Sequence, residues 1–521
     1  MKIIKALSLF IVTFALSACG SGSLDDNSPA DENAAKQIRT FADLEGKRIA
    51  VKTGTTYDAL VNKTIKNPRV QYHEEMANMF LSLDNGSADA LAYDKPIVEQ
   101  WTKGKSGYFI LKETLCDDFY GMIMKKGSPL KAEIDSALKI LSDNGMLEEF
   151  YDKWSNETDS TSRIPETWEG KNGKLVVAIE SNFIPFSIYK NGRLAGSEVD
   201  VMLSVGKILD KKIEFSVMNF SGILPSVVSG KVDLGVSGIS ITEERKKMVD
   251  FSIPYFTNRG VIVVKDASSA GASPNSKQGV FESLKGSIHR TFIHEERWKL
   301  VAGGLWVTIY ISVLSGIFGI LIGFAICMVR RSRRRAFATS SACFIRCIQG
   351  TPVLVLLMIL YYVVFGKTGL SGELVAIIAF SINFGVYASE IIRSGMDSVD
   401  MGQLEASAAL GYSPRQTFFK ILLPQAAQHF IPVLKGEFIS MVKMTSVVGY
   451  VAVMDLTKIS DIIRSRTMEA FFPLIATAVF YFIIASVMTT ALSYCERRVD
   501  PKSRPRNIKG VNKHDYSPPP P

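Results

Sequence analysis

Few residues in this chain sit in patterns that could do chemistry, and those that do point to binding rather than catalysis. Arg245 closes the run Ile241-Thr-Glu-Glu-Arg245 beside a helix start. It offers the fixed fork of N–H donors that a free carboxylate requires. It is equally suited to pair with a surface carboxylate, as Ser240 and Thr242 are to cap a helix. Lys443 falls within an apolar run and is expensive in lipid, so it should face protein or a water-filled path, unless the run ends before it. There are 6 cysteines, and none forms a CxxC pair for zinc or redox work. Cys343-Phe-Ile-Arg-Cys347 places two on one helical face without further ligands nearby, and is read as packing. Gly366-Lys367-Thr368 has the ending of a phosphate-binding loop, but the first glycine of such a loop would fall at Tyr361. No metal site, cofactor or ATPase of the chain's own is expected.

The elements that must position these residues change character along the chain. Its 521 residues carry 60 Lys+Arg and 51 Asp+Glu, with a mean hydropathy of +0.15. The basic excess lies in the apolar half after residue 298, which fits a positive-inside membrane topology and argues against nucleic acid. Residues 36–268 alternate short β-rich runs, such as Lys47-Arg-Ile-Ala-Val-Lys52 and Lys174-Leu-Val-Val-Ala-Ile179, with amphipathic stretches, an α/β pattern. Membrane spans are expected at 303–329, 352–366, 371–389, 428–451 and 470–493. Arg330, Arg331 and Arg333 to Arg335 mark the inner side. Helical spacing of Phe281, Leu284, Ile288 and Phe292 predicts an interfacial helix within a linker over 269–298. A soluble amphipathic helix has the same pattern.

The first 19 residues read as a secretory signal. Leu16-Ser17-Ala18-Cys19 resembles a bacterial lipobox, in which Cys19 would carry lipid. An ordinary signal peptide or a retained first helix is the alternative. Residues 20–35 then form a solvated tether, and 500–521 a disordered tail. Only Cys116, of the remaining cysteines, lies in the extracytoplasmic part, so no disulfide pair is expected there.

Between the third and fourth spans the chain reads Glu405-Ala-Ser-Ala-Ala-Leu-Gly411, then nine residues to Ile421-Leu-Leu-Pro424. This resembles the EAA loop of ABC importer permeases, with Ser407 in place of the second Ala. The resemblance, to amino-acid importer permeases, covers about 299–499. It implies that a short helix around Glu405, Ala406, Gly411 and Pro424 seats on a separate cytoplasmic ABC ATPase, which supplies ATP hydrolysis.

The soluble half resembles the extracytoplasmic solute-binding proteins for polar amino acids. The match rests on Met218–Pro225, Gly230–Arg245, Val249–Tyr255, Asp43–Thr56 and Ala88–Asp94. Lobe-2 sequence comes first, over 36–117, and lobe 1 follows over 118–258, with 259–268 returning to lobe 2. The order implies a circular permutation with hinge crossings near 116–119 and 256–261; the rival reading is two incomplete binding domains. The expected fold is therefore a bilobed, periplasmic-binding-protein-like α/β domain followed by an all-α transmembrane permease domain of about five spans.

By this resemblance, Arg245, the Gly238 N–H, the Ser240 hydroxyl and Thr56 would hold an α-carboxylate, and Asp94 an α-ammonium. Phe183 and Phe220 would sandwich the aliphatic stem. Lys52 and Glu180 would flank the ligand side chain, a donor and an acceptor that suit the carboxamide of glutamine. The family's glutamine binders carry Asp at the Glu180 position and His at the Tyr93 position, so glutamine is a lean. The assembly implied is ATP-driven import of a polar amino acid across the bacterial inner membrane, by a homodimer in contact with lipid. The alternative is an amino-acid-gated channel or receptor, which would have no ATPase to seat.

Overall fold

The computed structural model describes residues 38–156, 169–190, 193–265, 285–332, 334–467, 469 and 471–499. The expected signal peptide with Cys19, the tether and the tail after 499 lie outside these residues. Strands β1 (Arg48–Lys52), β2 (Arg69–His73), β3 (Ala90–Asp94), β4 (Tyr108–Tyr120) and β13 (Phe256–Lys265) form one sheet, ordered β2-β1-β3-β13-β4. Helices α1 (Tyr57–Thr64), α2 (Met76–Asp84) and α3 (Lys95–Thr102) alternate with these strands, and together they make lobe 2. In the second sheet, β5 (Ile123–Lys125), β6 (Lys174–Ile179), β10 (Lys212–Val217), β11 (Leu234–Val236) and β12 (Val249–Phe251) are ordered β10-β6-β11-β5-β12. It forms lobe 1 with α4 (Leu130–Asp143), α5 (Met146–Asn156), α6 (Ser197–Leu209), α7 (Phe220–Ser229) and α8 (Glu243–Lys246). A small sheet of β7 (Asn182–Phe183), β8 (Ser187–Lys190) and β9 (Arg193–Ala195) completes it.

The parallel pairs β1–β2, β1–β3, β6–β10 and β6–β11 need crossover helices. The central strand β3 is covered on both faces and buried at every residue, whereas the edge strands β2 and β10 carry polar residues and are mostly half-buried. Strand β5 comes from before residue 157, yet sits between β11 and β12, which come after residue 168. The two stretches therefore build one sheet between them. Beyond the pair Gly260↔Asp94, β13 and β4 continue as a two-stranded ribbon, Phe256–Gly260 against Cys116–Tyr120, that leads from one lobe to the other.

The second part is helical: α9 (Arg297–Arg330), α10 (Arg335–Gln349), α11 (Val353–Met358), α12 (Gly372–Asp397), α13 (Met401–Ala409), α14 (Pro414–Thr417), α15 (Leu423–Met444), α16 (Leu456–Thr467) and α17 (Phe472–Val499). Small residues let α9 and α12 approach closely. A Cβ at Gly319 would meet the Phe384 ring at 2.6 Å, and one at Gly323 the Gly385 carbonyl at 2.7 Å. Among the described residues, three segments are long and apolar enough to cross a membrane: Lys285–Arg330, Gly372–Asp397 and Phe472–Tyr494. The other two expected spans are broken rather than straight. Arg335–Gln349 and Val353–Val364 meet at 104°, and Pro414–Val451 and Leu456–Arg464 at 59°. Gly350-Thr351-Pro352 accounts for the first break, because proline cannot donate to the ladder and disfavours a helical residue before it.

The expected packing of the two cysteines is corrected. Cys343 and Cys347 are exposed, lining a depression with Arg330 and Arg346, while Ile345 packs in their stead. The segment 285–297 lies against protein: Thr291 is buried, and the Phe292 ring stands edge-on to Phe472 and Phe480. Lys443, near the end of α15, is exposed and so does not pack within this subunit.

Candidate functional site

The site lies where the two sheets' strand ends face each other. β1 delivers Lys52 from lobe 2, and the chain just after β6 delivers Glu180 from lobe 1. The ammonium is 2.7 and 2.6 Å from the two carboxylate oxygens of Glu180, with the side chains 3% and 1% exposed. The Tyr93 and Phe220 ring centroids lie 5.9 and 5.6 Å from Lys52 Nζ. Phe183 lies elsewhere in the cleft, stacked on Phe186 at 4.8 Å.

Asp94 ends β3 and precedes α3. Its Oδ1 accepts from the Tyr57 hydroxyl at 2.7 Å and from Asn258 Nδ2 at 2.5 Å. Burial pushes this carboxyl up to about 6, opposed by the hydroxyls of Tyr120 and Tyr57. Neither Tyr57 nor Asn258 carried a signal in the sequence; Asn258 arrives only through the β13–β3 pairing.

The expected carboxylate donors are engaged differently from the expectation. The Gly238 N–H donates to Glu198 Oε1 at 2.8 Å, and the Ser240 hydroxyl to Asp118 Oδ2 at 2.6 Å. Arg245 donates to two carbonyls, Ser240 at 3.0 Å and, across the cleft, Gly54 at 2.9 Å. Thr56 stands at the N-cap of α1 and makes no capping bond with its side chain. The reason is local: an acidic residue lies within reach of the Gly238 and Ser240 donors. Gly238 itself has φ +55, and a Cβ there would fall 2.4 Å from the Phe183 ring, so only glycine lets its N–H approach Glu198 so closely. Burial pushes Glu198 up to about 7, and its carboxyl also accepts from Tyr255.

At the far end of the helical part, the loop between α12 and α15 is turned outward. Glu405, Ala406, Gly411 and Pro424 are all exposed, as are Met401 at 65%, Leu410 at 77% and Phe419 at 62%. Gly411 has φ +80 and open space where a side chain would go. Ser407, the departure from the motif, is buried and joins α13 to α14, its Oγ 3.0 Å from Thr417 Oγ1. Arg331 pairs with Asp397 at this same end.

The α/β part rests on the opposite end. Tyr362 donates to the Tyr450 carbonyl at 2.7 Å and lies against Gly222 of α7. Lys231, just after α7, donates to the Leu370 carbonyl and sits 4.9 Å from the Tyr361 ring. Helix α12, 26 residues long, separates that contact from the exposed loop by about 39 Å.

A family model of bacterial extracellular solute-binding proteins, family 3, matches residues 175–471, starting in β6 and running on into the helices. The L-cystine transport system permease of Bacillus subtilis is 35% identical over 221 residues, covering 42% of this chain and 94% of that protein. The chain belongs to both families, the family 3 solute-binding proteins and the amino-acid ABC transporter permeases. A putative glutamine transport system permease of Rickettsia bellii is 31% identical, covering 38% of this chain and 92% of its own length. A crystal structure of an amino acid ABC transporter with histidines is 33% identical over 38% of this chain and 94% of its own, with a TM-score of 0.36. This ABC permease with its solute-binding part thus carries the interlobe cleft at one end of its helices and the exposed Glu405–Pro424 loop at the other.

Proposed function

We propose that this chain is the fused substrate-binding and permease subunit of an importer for a polar amino acid, leaning to glutamine, powered by a separate ABC ATPase. The observation that carries the reading is the placement of two surfaces at opposite ends of one helical unit. The cleft between the lobes rests against residues 361–370 and 450–464. The loop with exposed Leu410 and Phe419 projects from the other end, where Arg331 pairs with Asp397.

In this reading the lobes take the amino acid between Arg245, Asp94, Lys52 and Glu180, aided by Ser240, Gly238, Thr56, Phe183, Phe220 and Tyr93. Glu198 and Asp118 hold the Gly238 and Ser240 donors and two carbonyls hold Arg245, so capture would exchange these partners for the ligand's carboxylate. Lipid on Cys19 would tether the binding part in the inner membrane. Two copies would form the pore, a pairing supported by the exposed side of α15, where Val433 is 56% exposed and Gly436 has no neighbour within 4 Å. Lys443 lies on that exposed side. Each helical half then feeds one cytoplasmic ATPase through residues 405–424.

The test is uptake into proteoliposomes holding the full chain, with and without a co-expressed amino-acid-class ABC ATPase. ATP-dependent accumulation of a labelled amino acid, with L-glutamine preferred, is the expected result. Amino-acid-dependent ionic current in the absence of any ATPase would overturn the reading in favour of a channel.

A further inference from the structure

The end of the helical part that carries the exposed loop is strongly basic. From Arg330 to Gln349 the chain has six arginines and no acid. Arg330 pairs with Glu390 of α12, but the other oxygen of that carboxylate serves Arg393, 3.0 Å away. Arg346 has no ionic partner among the described residues. Both Arg330 and Arg346 line a depression of about 610 Å³ where α10 meets the end of α9. The rest of its wall comes from α10, as Ala338, Thr339, Ala342, Cys343 and Cys347. That helix meets the following segment, Val353–Val364, at 104°, so it lies across it rather than along it. Of its 15 residues only Ile345 is buried. Phe337 and Phe344 are 51% and 43% exposed, and Val329, just before Arg330, is 44% exposed.

We propose that this depression seats an anionic phospholipid of the inner leaflet, its phosphate between Arg330 and Arg346 and its acyl chains on the small side chains of the wall. The proposal goes beyond the import reading, which supplies only the side of the membrane, and its test needs no transport. A guanidinium carries five N–H donors in a planar fork that fits phosphate oxygens two at a time. Arg330 therefore keeps donors to spare after meeting Glu390, and Arg346 has all of its charge to offer.

The wall chooses among anions. An acidic peptide would bring backbone groups that need partners, and of the five small side chains only Thr339 has an oxygen to give them. Acyl chains need none, and they gain by covering apolar surface that water would otherwise touch. Exposed phenylalanines beside arginines, on a helix lying across its neighbour, make the pattern of a helix seated in the membrane interface. A basic pocket between helices on the inner side is the form that recognition of an anionic headgroup takes.

The two thiols in the wall report whether it is occupied. The full chain is placed in nanodiscs of phosphatidylcholine, or of an equimolar mixture with phosphatidylglycerol, and alkylated with N-ethylmaleimide. Mass spectrometry reads each cysteine separately. Phosphatidylglycerol should slow labelling of Cys343 and Cys347 about fivefold or more, the change that about 1 kcal/mol per arginine produces. Cys116, in the binding part, should label at the same rate in both discs. Arg346→Gln should remove most of the protection and Arg346→Lys should keep part of it. Arg331→Gln deletes the same charge outside the depression and should leave the protection in place. Protection that survives Arg346→Gln, or that Arg331→Gln removes equally, would mean diffuse surface charge and overturn the site. Free glycerol phosphate protecting phosphatidylcholine discs as well as the lipid does would overturn the lipid as occupant. Equal rates in the two discs would also overturn it, slow ones in favour of a second copy covering this face.

Discussion

If Asp94 takes the α-ammonium, as proposed, capture of the amino acid should be sensitive to pH. The Asp94 carboxyl is 5% exposed and receives two hydrogen bonds on one oxygen, yet burial still raises it to about 6. A bound α-ammonium requires the carboxylate, so affinity should be full well above pH 6 and fall as pH drops through it. One proton taken up per binding site lost gives a limiting tenfold change per pH unit. Between pH 7.5 and pH 5 the dissociation constant should therefore rise about tenfold. Asp118 on β4 raises the group further and Lys52 on β1 lowers it; Glu198, about 7, titrates in the same window against Gly238. Two variants separate them. Asp94→Asn should bind about 30- to 5,000-fold more weakly and lose the acid limb, whereas Glu198→Gln should keep it. The assay is isothermal calorimetry of the full chain in nanodiscs with L-glutamine, L-arginine and L-cystine. An Asp94→Asn protein that binds as wild type does, or that retains the same slope below pH 6, refutes the assignment of the ammonium to Asp94.

Glu198 also governs stability. A folded-state value near 7 against an ordinary 4.5 means that its contribution is complete below about 4.5 and lost as pH rises through 7. That loss is roughly 3 kcal/mol at most. Calorimetric melting should drop between about pH 4.5 and 7 in wild type and drop less in Glu198→Gln; equal drops would count against it. In the pocket, Glu180→Gln should weaken L-glutamine modestly and raise L-glutamate relative to it, read by competition binding; an unmoved ratio means the side-chain end lies elsewhere. At the exposed loop, Gly411→Val forces a branched residue into left-handed backbone at a cost of about 1–2 kcal/mol, since nothing there would clash. Amino-acid binding should persist while proteoliposome uptake is lost, and unaltered uptake would remove the turn from coupling.

Local pattern made some of this legible before any coordinates. The apolar runs of β1 and β6 and the spacing from Glu405 to Pro424 are carried by consecutive residues, so type and order suffice to place them. Lys52 and Glu180 could be put in one cleft only through resemblance, since 128 residues separate them. What escaped depends on three-dimensional neighbours. Asn258 reaches Asp94 because β13 pairs with β3, and no local signal marks it. Glu198 takes the Gly238 N–H because α6 begins beside that turn, a contact invisible from either segment alone. Hydropathy located the apolar stretches but not their bends, because a window average is blind to the break at 350–352. The exposure of Cys343 and Cys347 follows from which side of α10 faces Ile345's neighbours, not from the spacing the two cysteines share.

The pairing of Lys52 with Glu180 bears on which side chain the cleft would accept. Both groups are almost fully buried, and taking two ions out of water costs several kcal/mol each before their attraction is counted. A ligand that broke the pair would face that cost again, so the side chain that fits best is one that leaves it intact. Lysine has three donors and a carboxylate about four acceptor positions. The bonds to the two Glu180 oxygens engage two of each. What remains is one donor on Lys52 and about two acceptor positions on Glu180. A carboxamide supplies the complement, an oxygen to accept and an NH2 with two protons to donate. A carboxylate side chain brings acceptors only and sets them against Glu180; a guanidinium or ammonium brings donors only and sets them against Lys52. With Lys52 and Glu180 at the side-chain end of the cleft, as the resemblance implies, the count agrees with the proposed glutamine preference, and the longer Glu180 reaches Lys52 with both of its oxygens.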